Sequence, residues 1–387
     1  MPRITSRFYV NATYKIWITL LLTFTSMSQA QDWFAYIGTY TSGASKGIYV
    51  ARYAPETGTL TPIGLAAPTV SPSFLAVHPN GNTLYAVNES RRYSGNANSG
   101  SVSAFTIDHT TGKLTLLNIV PSRGADPCHL TTDRTGRWLF VANYSGGSIA
   151  VFPIQDNGAL SEASQIVQHS GFTNVDPVRQ EAPHAHSVDI SPDNKFLYVS
   201  DLGNDQIVVY NFDAASGKLT QRATTQLKPG SGPRHMAFSR DLRYLYSLSE
   251  LSATITTFRH DAATAALEEL QTITTLPKDF TGDKGAAEIA IDPTGRFLYA
   301  SNRGHDSIAI FTIDAEQGRL TPAGNVSTQG RTPRAFAIDP TGTHLIAANQ
   351  NSQNLVVLQI NPDTGALIQT SSLEVFEPVS IVFVSVP

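Results

Sequence analysis

One run of residues recurs along this chain, and its repetition limits the fold more than any other feature of the sequence. The first copy, PSFLAVHPNGNTLYAVNE, begins at Pro72. Further copies begin at Pro127, Ala185, Pro233, Ala286 and Pro333. The chain ends with PVSIVFV from Pro378, the first half of another copy, and WFAYIGT at residues 33–39 resembles the missing second half. The repeat therefore occurs seven times, and one copy is divided between the two ends of the chain.

A short turn motif follows each copy and gives the same count. It reads TGTL, TGKL, NGAL, SGKL, QGRL and TGAL at residues 57, 111, 157, 216, 317 and 364, with a degraded form, TAAL, at 264. Each unit of about fifty residues contains short apolar or alternating runs separated by Pro, Gly, Asn and Asp turns. Residues 31–387 show no helical periodicity. This pattern predicts four short strands per unit, as in a propeller blade.

The divided copy predicts how the fold closes. We expect an all-β, seven-bladed β-propeller in which the C-terminal strand pairs with the N-terminal blade. Such pairing closes the ring and removes exposed strand edges. Cys128 is the only cysteine, so an intramolecular disulfide cannot provide the closure. A β-helix is the structural alternative, but the divided copy favours a closed ring.

The first thirty residues have the pattern of a secretory signal peptide. Three basic residues, Arg3, Arg7 and Lys15, precede an apolar run at 16–27. SQA at 28–30 is a small-x-small cleavage site. We predict a signal peptide at 1–30, a single propeller domain at 31–387, and export to the periplasm or the cell exterior. An uncleaved membrane anchor is the alternative, but the run is short and contains threonines. After cleavage we expect no stable membrane insertion.

The charge of the chain argues against one class of partner. The sequence has 27 Lys and Arg and 31 Asp and Glu. Three of the basic residues lie in the leader, so residues 31–387 carry 24 basic against 31 acidic residues, a net charge of −7. Nucleic-acid-binding surfaces typically carry an excess of basic residues. We therefore expect no nucleic-acid partner.

The variable positions of the repeat predict a site at one mouth of the central channel. The first strand of a blade lines the channel, so its start and the end of the second strand meet at the same mouth. With the first residue of each copy as position zero, position one holds Ser73, Cys128, His186, Arg234, Ala287, Arg334 and Val379. Position seventeen holds Glu89, Tyr144, Leu202, Glu250, Arg303, Gln350 and, in the divided copy, Thr39. Position two adds His129, His235 and Glu288. A purely structural repeat would not need such mixed charge, so this ring is the candidate site.

One copy begins with two histidines in the run QEAPHAHSVDISPD. His186 falls on the ring, where groups of opposite charge surround it, and this setting favours a functional role. His184 lies in the connection that precedes the strand. It either contacts the substrate or caps a turn and packs against the rim.

Other motifs in the sequence lack the context that their chemistry requires. GASKG at 43–47 matches the nucleophile elbow, but that motif requires a strand, a turn and a helix, and Ser45 falls in a predicted hairpin. Four histidines, His129, His184, His186 and His235, come from three units without the compact spacing of zinc ligands. No phosphate-binding loop or dinucleotide fingerprint lies in a suitable setting. We therefore expect neither a metal nor a cofactor.

Four segments together resemble one family. PCHLTTDRTGRWLFVANYSGGSIAVFPI, RQEAPHAHSV, GSGPRHMAFS and ASNRGHDSIAIF, in this order, are similar to the lactonase family of seven-bladed propellers, which includes bacterial 6-phosphogluconolactonase and the fungal carboxy-muconate lactonizing enzyme. The resemblance implies a metal-independent site built from histidine, arginine and glutamate. Carried over residue by residue, that site consists of His186, Arg234, Glu250 and Arg303. The export leader departs from an enzyme that acts on a cytoplasmic phosphorylated sugar, which leaves the phosphate requirement open.

These residue types suit the hydrolysis of a sugar-derived lactone. Glu250 or His186 would take a proton from water, and Arg234 would stabilise the oxyanion with its fixed fork of donors. Arg303 and Arg334 would hold a substrate carboxylate or phosphate. We expect further substrate contacts from His184, His129, His235 and Glu89. The structural alternative is that Arg234 and Glu250 form only a salt bridge between adjacent strands, and that Arg334 and Glu89 are rim charges.

Two other functions stay open on the sequence alone. The same groups would serve a lactonizing cyclase that acts on a muconate-like unsaturated diacid. A non-enzymatic binding propeller would use the rim to hold a protein or a glycan, although binding propellers more often present aromatic rims. The connection at 165–183 is long enough to cover part of the mouth.

Overall fold

The computed structural model describes residues 1–3 and 31–386. The predicted signal peptide lies, apart from its first three residues, outside the described part of the chain and stays a prediction. All regular secondary structure in the described residues is β-strand, arranged as seven four-stranded antiparallel sheets. Across this same part of the chain, no helix has the length and apolarity to cross a bilayer.

Each sheet is one blade, and its bounds follow the repeat. Blade 1 contains β1 (Trp33–Thr39), β2 (Gly47–Ala54) and β3 (Thr59–Pro68); blade 2 contains β4 (Leu75–Val77), β5 (Thr83–Asn88), β6 (Ser101–Ile107) and β7 (Leu114–Pro121). Blade 3 contains β8 (Pro127–Thr132), β9 (Trp138–Asn143), β10 (Ser148–Pro153) and β11 (Gln165–Gln168); blade 4 contains β12 (Ala185–Ile190), β13 (Phe196–Asp201), β14 (Gln206–Asp213) and β15 (Lys218–Gln226). Blade 5 contains β16 (Pro233–Phe238), β17 (Tyr244–Ser249), β18 (Thr254–Asp261) and β19 (Ala266–Thr274); blade 6 contains β20 (Ala286–Ile291), β21 (Phe297–Asn302), β22 (Ser307–Ile313) and β23 (Leu320–Ser327). Blade 7 contains β24 (Pro333–Ile338), β25 (His344–Asn349), β26 (Asn354–Ile360) and β27 (Leu367–Glu374), and the last strand of the chain is β28 (Pro378–Ser385).

The C-terminal strand completes the N-terminal blade, as the divided repeat predicts. β28 pairs antiparallel with β1 from Trp33 opposite Ser385 to Thr39 opposite Pro378, and blade 1 has the order β28-β1-β2-β3. The innermost strands of neighbouring blades contact one another around the whole ring, from β28 and β4 to β24 and β28. The predicted all-β, seven-bladed propeller with this closure is therefore confirmed.

The hydrophobic core lies between the blades. Seven clusters of buried side chains occupy the seven interfaces between neighbouring sheets. Because each blade is covered on both faces, its second strand reads as a continuous apolar run, such as FLYAS in β21. Each fully buried Phe or Leu side chain contributes about 1.5–3 kcal/mol. This packing fixes the channel that carries the site.

A repeated tyrosine joins one blade to the next. The hydroxyls of Tyr36, Tyr85, Tyr246 and Tyr299, each in the second strand of its blade, donate to the turn-motif glycine carbonyls of Gly112, Gly158, Gly318 and Gly365 in the following blade. The degraded TAAL motif has no such glycine. There the Tyr198 hydroxyl pairs with Nε2 of His260 at 2.6 Å. The two sequence markers are thus the two partners of one contact between blades.

Candidate active site

A β-bulge near the start of the innermost strand brings two successive side chains to the channel mouth. In blades 1, 3, 4, 5 and 7, position zero pairs with the end of the second strand, and position one is the extra residue that lacks a partner. The extra residues are Val379, Cys128, His186, Arg234 and Arg334. In blade 6 both Ala287 and Glu288 lie in the irregularity between Ala286 and Ile289. Without a bulge, positions one and two would point to opposite faces of the sheet. The bulge instead lets both contribute to one site.

Ring contacts show that position two also faces the channel. The rings of Phe74 and His129 lie 4.1 Å apart, and those of His129 and His235 lie 5.1 Å apart, although the three residues belong to three different blades. The ring of His186, at position one, lies 5.4 Å from His235. The predicted residues of both positions therefore meet in one cluster.

Position seventeen is also placed as predicted, with one correction. Its backbone N–H donates to the residue before position zero, as from Glu250 to the Gly232 carbonyl at 2.7 Å. In the divided blade that donor is Tyr40, which binds the Glu377 carbonyl, whereas Thr39 pairs with Pro378 one residue earlier. The assignment of Thr39 to the ring was wrong because the divided copy has no continuous spacing to count. Tyr40 supplies the ring side chain.

Glu250 lies at the centre of the cluster and is surrounded by cations. Its Oε1 atom is 2.6 Å from Nη2 of Arg179 and 2.9 Å from Nη2 of Arg303. Its Oε2 atom is 2.9 Å from Nε of Arg234 and 3.7 Å from Nε2 of His186. Three of the four residues predicted as catalytic, His186, Arg234 and Arg303, thus converge on the fourth.

The charge state of Glu250 follows from these contacts. Burial alone raises the pKa of the carboxyl, but Arg303, Arg234, His186 and Arg179 together hold that pKa well below its ordinary value of 4.5. A carboxylate with such a low pKa is a weak base. Its geometry instead suits holding three guanidinium groups together at one place.

Arg234 is oriented by three protein acceptors. Its Nε atom donates to Glu250, and its Nη1 atom donates to the Ala287 carbonyl and to Nε2 of His235, the latter at 3.1 Å. Nη2 donates to no group among the described residues. Burial and the charge of Arg334 lower the pKa of Arg234 to about 10, so the guanidinium is charged at neutral pH. A guanidinium has five N–H donors, so two remain for a ligand.

His186 is buried and neutral at neutral pH. Burial, together with the positive charge of Arg234, holds its pKa well below the ordinary value of 6.5. Nε2 lies beside Glu250, and Nδ1 is 3.9 Å from the thiol sulfur of Cys128. That thiol donates to the His186 carbonyl at 3.2 Å, and burial raises its pKa. A neutral imidazole next to a carboxylate is able to accept a proton and have the new charge stabilised.

The connection between β11 and β12 supplies an arginine that the sequence analysis missed. The predicted connection at 165–183 begins with strand β11, so the irregular part, here called the capping segment, is residues 169–184. Arg179 in this segment binds Glu250 and also donates from Nε and Nη2 to the Tyr144 hydroxyl. The segment therefore covers part of the mouth. Its only sequence signal is that Arg179 immediately precedes QEAPHAH.

Buried polar groups hold the capping segment in place. The Asp201 carboxylate accepts from Nδ1 of His169 at 2.6 Å and from the backbone N–H of His184 at 2.9 Å. Thr173 donates to Asp205 at 2.9 Å, and the side chain of Gln180 donates to the Leu202 carbonyl. These contacts fix both ends of the segment to the end of β13 and so limit where Arg179 can reach.

His184 occupies the edge of the site. Its ring stacks on Tyr144 at 4.4 Å, and Nδ1 is 2.9 Å from the Tyr144 carbonyl. Nε2 lies 3.3 Å from Oε2 of Glu181 but is buried and has no partner with hydrogen-bond geometry among the described residues. The packing and turn contacts expected as the structural alternative are therefore present.

Arg334, Tyr40 and Glu89 form a second group on the ring. The Arg334 guanidinium lies 5.3 Å from the centre of the Tyr40 ring and 4.0 Å from Oε2 of Glu89. The Tyr40 hydroxyl donates to the same Glu89 oxygen at 2.9 Å. The pKa of Arg334 is raised, because the nearby negative groups outweigh its burial. Since Arg334 has no closer acidic partner in the described chain, its donors are available to an anionic ligand.

His129 and His235 are the two position-two histidines of the cluster. Burial and the neighbouring His235 hold the pKa of His129 well below 6.5, and burial also lowers the pKa of His235. Nδ1 of His129 accepts the Val188 backbone N–H at 3.3 Å, while Nδ1 of His235 is 2.9 Å from Glu288.

Within residues 1–3 and 31–386, no cluster of three or more His, Cys, Asp or Glu side chains is arranged to hold a metal ion. Ser45 lies in the hairpin between β1 and β2, where it bonds Thr39, so it has no elbow geometry.

The fold and the site together define a seven-bladed propeller with a buried Arg–Glu–His centre in its channel mouth. The model of the family described as Lactonase, 7-bladed beta-propeller, matches residues 34–383. The chain therefore belongs to this family, and the predicted lactonase-type enzyme is confirmed.

Individual relatives support this assignment. The 6-phosphogluconolactonase of Bacillus subtilis is 35% identical over 301 residues, which cover 78% of this chain and 83% of the relative. The 6-phosphogluconolactonase of Formosa agariphila is 34% identical over 307 residues, which cover 78% and 85%. The solved structure of the periplasmic gluconolactonase of Pseudomonas aeruginosa matches with a TM-score of 0.86 at 36% identity, covering 92% of this chain and all of that one.

Proposed function

We propose that this chain hydrolyses a sugar-derived lactone at the channel mouth by a metal-independent Arg–Glu–His mechanism. The observation that carries the proposal is the group of three guanidinium ions on the buried Glu250 carboxylate, with a fourth at Arg334. Four arginines stand against the three carboxylates Glu250, Glu89 and Glu288, so the site has excess positive charge. Such a site favours a reaction in which the substrate becomes negative. The relatives, 6-phosphogluconolactonases and a gluconolactonase, support a lactone as the substrate.

His186 is the proposed base. Its neutral imidazole accepts a proton from water as the water oxygen attacks the lactone carbonyl carbon. Glu250 stabilises the imidazolium that forms, because one of its oxygens lies 3.7 Å from Nε2. Glu250 itself is a poorer base, because its pKa is well below 4.5 and both of its oxygens already bind cations.

Arg234 is the proposed oxyanion donor. As water adds, the carbonyl oxygen becomes negative, and the two N–H groups on Nη2, which bond no other described residue, are free to donate to it. When the carbonyl re-forms, the bond between the carbonyl carbon and the ring oxygen breaks. The imidazolium of His186 then returns its proton to that ring oxygen. The product is the open hydroxy acid, and the enzyme returns to its starting state.

Arg303 and Arg334 are proposed to orient the substrate. Both are partly exposed, with 20% and 18% of their side chains accessible, so they can reach a bound anion while staying on the ring. Planar guanidinium groups bind a carboxylate or a phosphate in two-point fashion. Glu89 lies next to Arg334, and His184 stacks on Tyr144. Both are proposed to contact sugar hydroxyls.

Export to the periplasm or the cell exterior is also proposed. The leader pattern at 1–30 supports it, and one relative is described as periplasmic. Expression of the full chain with a C-terminal tag, followed by cell fractionation, tests this directly. Export predicts a processed protein that begins at Gln31 and leaves the cytoplasm, whereas an unprocessed cytoplasmic protein would contradict it.

The activity is tested with purified protein, a chelator, and both unphosphorylated and phosphorylated gluconolactones. Hydrolysis above the spontaneous rate is expected, and its loss in Arg234→Ala would assign it to the mouth. Arg259→Ala is the matched control, since Arg259 is an exposed β18 residue that pairs with Glu268. If neither lactone is hydrolysed but an unsaturated diacid is cyclised, the lactonizing cyclase replaces this proposal. No turnover of any of these substrates would favour a binding propeller.

A further inference from the structure

The imidazole of His235 lies between a group that only accepts hydrogen bonds and a group that only donates them. Nδ1 is 2.9 Å from Oε1 of Glu288, and Nε2 is 3.1 Å from Nη1 of Arg234. A carboxylate accepts and a guanidinium donates, so only one neutral form of the ring satisfies both contacts. That form carries its proton on Nδ1 and a lone pair on Nε2.

The Glu288 carboxylate is itself fixed by the bulge of β20. Its Oε1 atom also accepts the backbone N–H of Ile289 at 3.1 Å, and the Glu288 N–H donates to the Ser301 hydroxyl at 3.0 Å. The His235 side chain is 6% exposed and the Glu288 side chain is 16% exposed. Glu288 is therefore held by its own blade, independently of any ligand, and it holds His235 of the neighbouring blade.

The tautomer of His235 affects the orientation of Arg234. Its Nη1 atom is held by the His235 lone pair and by the Ala287 carbonyl, and its Nε atom by Glu250. These three bonds fix the plane of the guanidinium and direct Nη2 away from the protein acceptors. Were His235 to carry its proton on Nε2, an N–H would face an N–H, and this orientation would be lost.

We propose that His235, with its tautomer set by Glu288, is a positioning residue that aims the Nη2 donors of Arg234 at the substrate. This role replaces the substrate contact expected for His235 from sequence. The inference rests on the proposed function, because it assigns Arg234 as oxyanion donor. It concerns the orientation of a donor and therefore affects the transition state more than ground-state binding.

The groups around His235 are consistent with a neutral ring. His129 from β8, His186 from β12, Arg234 beside it and Arg334 from β24 are basic, and Glu288 from β20 is the acidic partner. Phe74 packs against the ring edge at 5.9 Å. Burial and the two arginines outweigh Glu288, so the pKa of His235 is lowered.

The test combines kinetics with the nitrogen chemical shifts of the imidazole. In the wild-type protein, labelled with ¹⁵N histidine, the His235 signal is assigned by its absence in His235→Phe. We expect a protonated Nδ1 and an unprotonated Nε2 in the wild type, and a change toward Nε2 protonation in Glu288→Ala. Glu288→Gln keeps an oxygen acceptor for Nδ1 and should retain the wild-type tautomer.

The kinetic result should follow the tautomer. We expect His235→Phe and Glu288→Ala to lower kcat about 10- to 100-fold with KM changed less than about threefold, and Glu288→Gln to recover part of that loss. His260→Phe is the matched control, because His260 is a buried histidine that bonds Tyr198 away from the mouth. That variant should keep the wild-type kcat.

Each outcome decides one of the two claims. Protonation of Nε2 in the wild type, or an unchanged tautomer and kcat in Glu288→Ala, would overturn the positioning role. A wild-type protein that hydrolyses no lactone would overturn the proposed function, whatever the tautomer. Circular dichroism and thermal melting of each variant separate either result from a failure to fold.

Discussion

Nε of Arg234 lies 2.9 Å from Oε2 of Glu250, and both side chains are only 3% exposed. The sequence left two interpretations of this pair, a structural bridge between strands or a catalytic unit. The structure shows that the salt bridge exists and that it uses only part of the hydrogen-bonding capacity of each residue. Glu250 also binds Arg179 and Arg303, and the two Nη2 donors of Arg234 have no partner among the described residues. One contact thus stabilises the mouth and orients the group proposed to act on the substrate.

Glu250→Gln keeps the shape of this centre and removes its charge. Arg234, which is fully buried, would lose its counter-ion, while Arg179 and Arg303 would repel it. Because breaking a buried pair leaves an uncompensated charge, we expect a loss of about 3 kcal/mol in the free energy of unfolding and a fall in kcat of about 100-fold. Urea unfolding and steady-state kinetics measure the two effects. Glu268→Gln, at an exposed pair, should change neither.

The lowered pKa of Glu250 predicts a pH dependence of the free energy of unfolding. The pKa of Glu250 in the folded protein is well below 4.5, so as the pH falls the unfolded chain takes up a proton first. The stability that the carboxylate contributes is therefore complete above about pH 5 and is lost as the pH falls below 4.5 toward the folded-state pKa. The difference in unfolding free energy between wild type and Glu250→Gln should narrow between about pH 5 and pH 3. A difference that stays constant would show that Glu250 is not ionised in the way described.

His186→Gln tests the proposed base. We expect kcat to fall by about 100- to 10,000-fold, because glutamine cannot accept the proton from water. In the wild type the pKa of His186 lies well below 6.5, so activity should persist below pH 6.5 and decline only when the imidazole becomes protonated. The pH profile of kcat/KM, which reports on the free enzyme, measures this decline. A decline with an apparent pKa at or above 6.5 would contradict His186 as the base.

Arg179→Ala tests the capping segment. Arg179 contacts Glu250 and Tyr144, but its side chain is 39% exposed, so its removal should cost little stability. We expect KM to rise about tenfold, because a group that covers the mouth contributes mainly to binding. Arg222→Ala, which removes an exposed arginine bound to the Thr264 carbonyl, is the control. An unchanged KM would show that Arg179 does not contribute to substrate binding.

The repeat made the fold and the ring predictable, because both depend on spacing. Once Pro72 and its copies are aligned, residues such as Arg234 and Arg303 must lie at the same mouth. The alignment failed only at Thr39, where the copy is divided and Tyr40 takes the ring position. The bulge at position one was not visible in the spacing, yet it explains why positions one and two both reach the channel.

Arg179 could not be found by the same reasoning. It lies in a connection that is longer than those between the other blades, and its position depends on contacts such as that of Asp201 with His169 and the His184 backbone. The charge state of Glu250 was equally hidden, because it depends on three arginines from three segments converging on one carboxylate. Sequence spacing identified the groups. Their packing is what distinguishes the proposed base, His186, from Glu250, the carboxylate that holds the arginines.

The most direct measurement is the rate of gluconolactone hydrolysis by the wild type and by Arg234→Ala, with a chelator present and with guanidinium ion added to the variant. We expect chelator-resistant hydrolysis in the wild type, a loss of about 100- to 1,000-fold in the variant, and partial recovery with guanidinium but not with an equal concentration of sodium chloride. An Arg234→Ala variant that keeps the wild-type kcat would contradict the account.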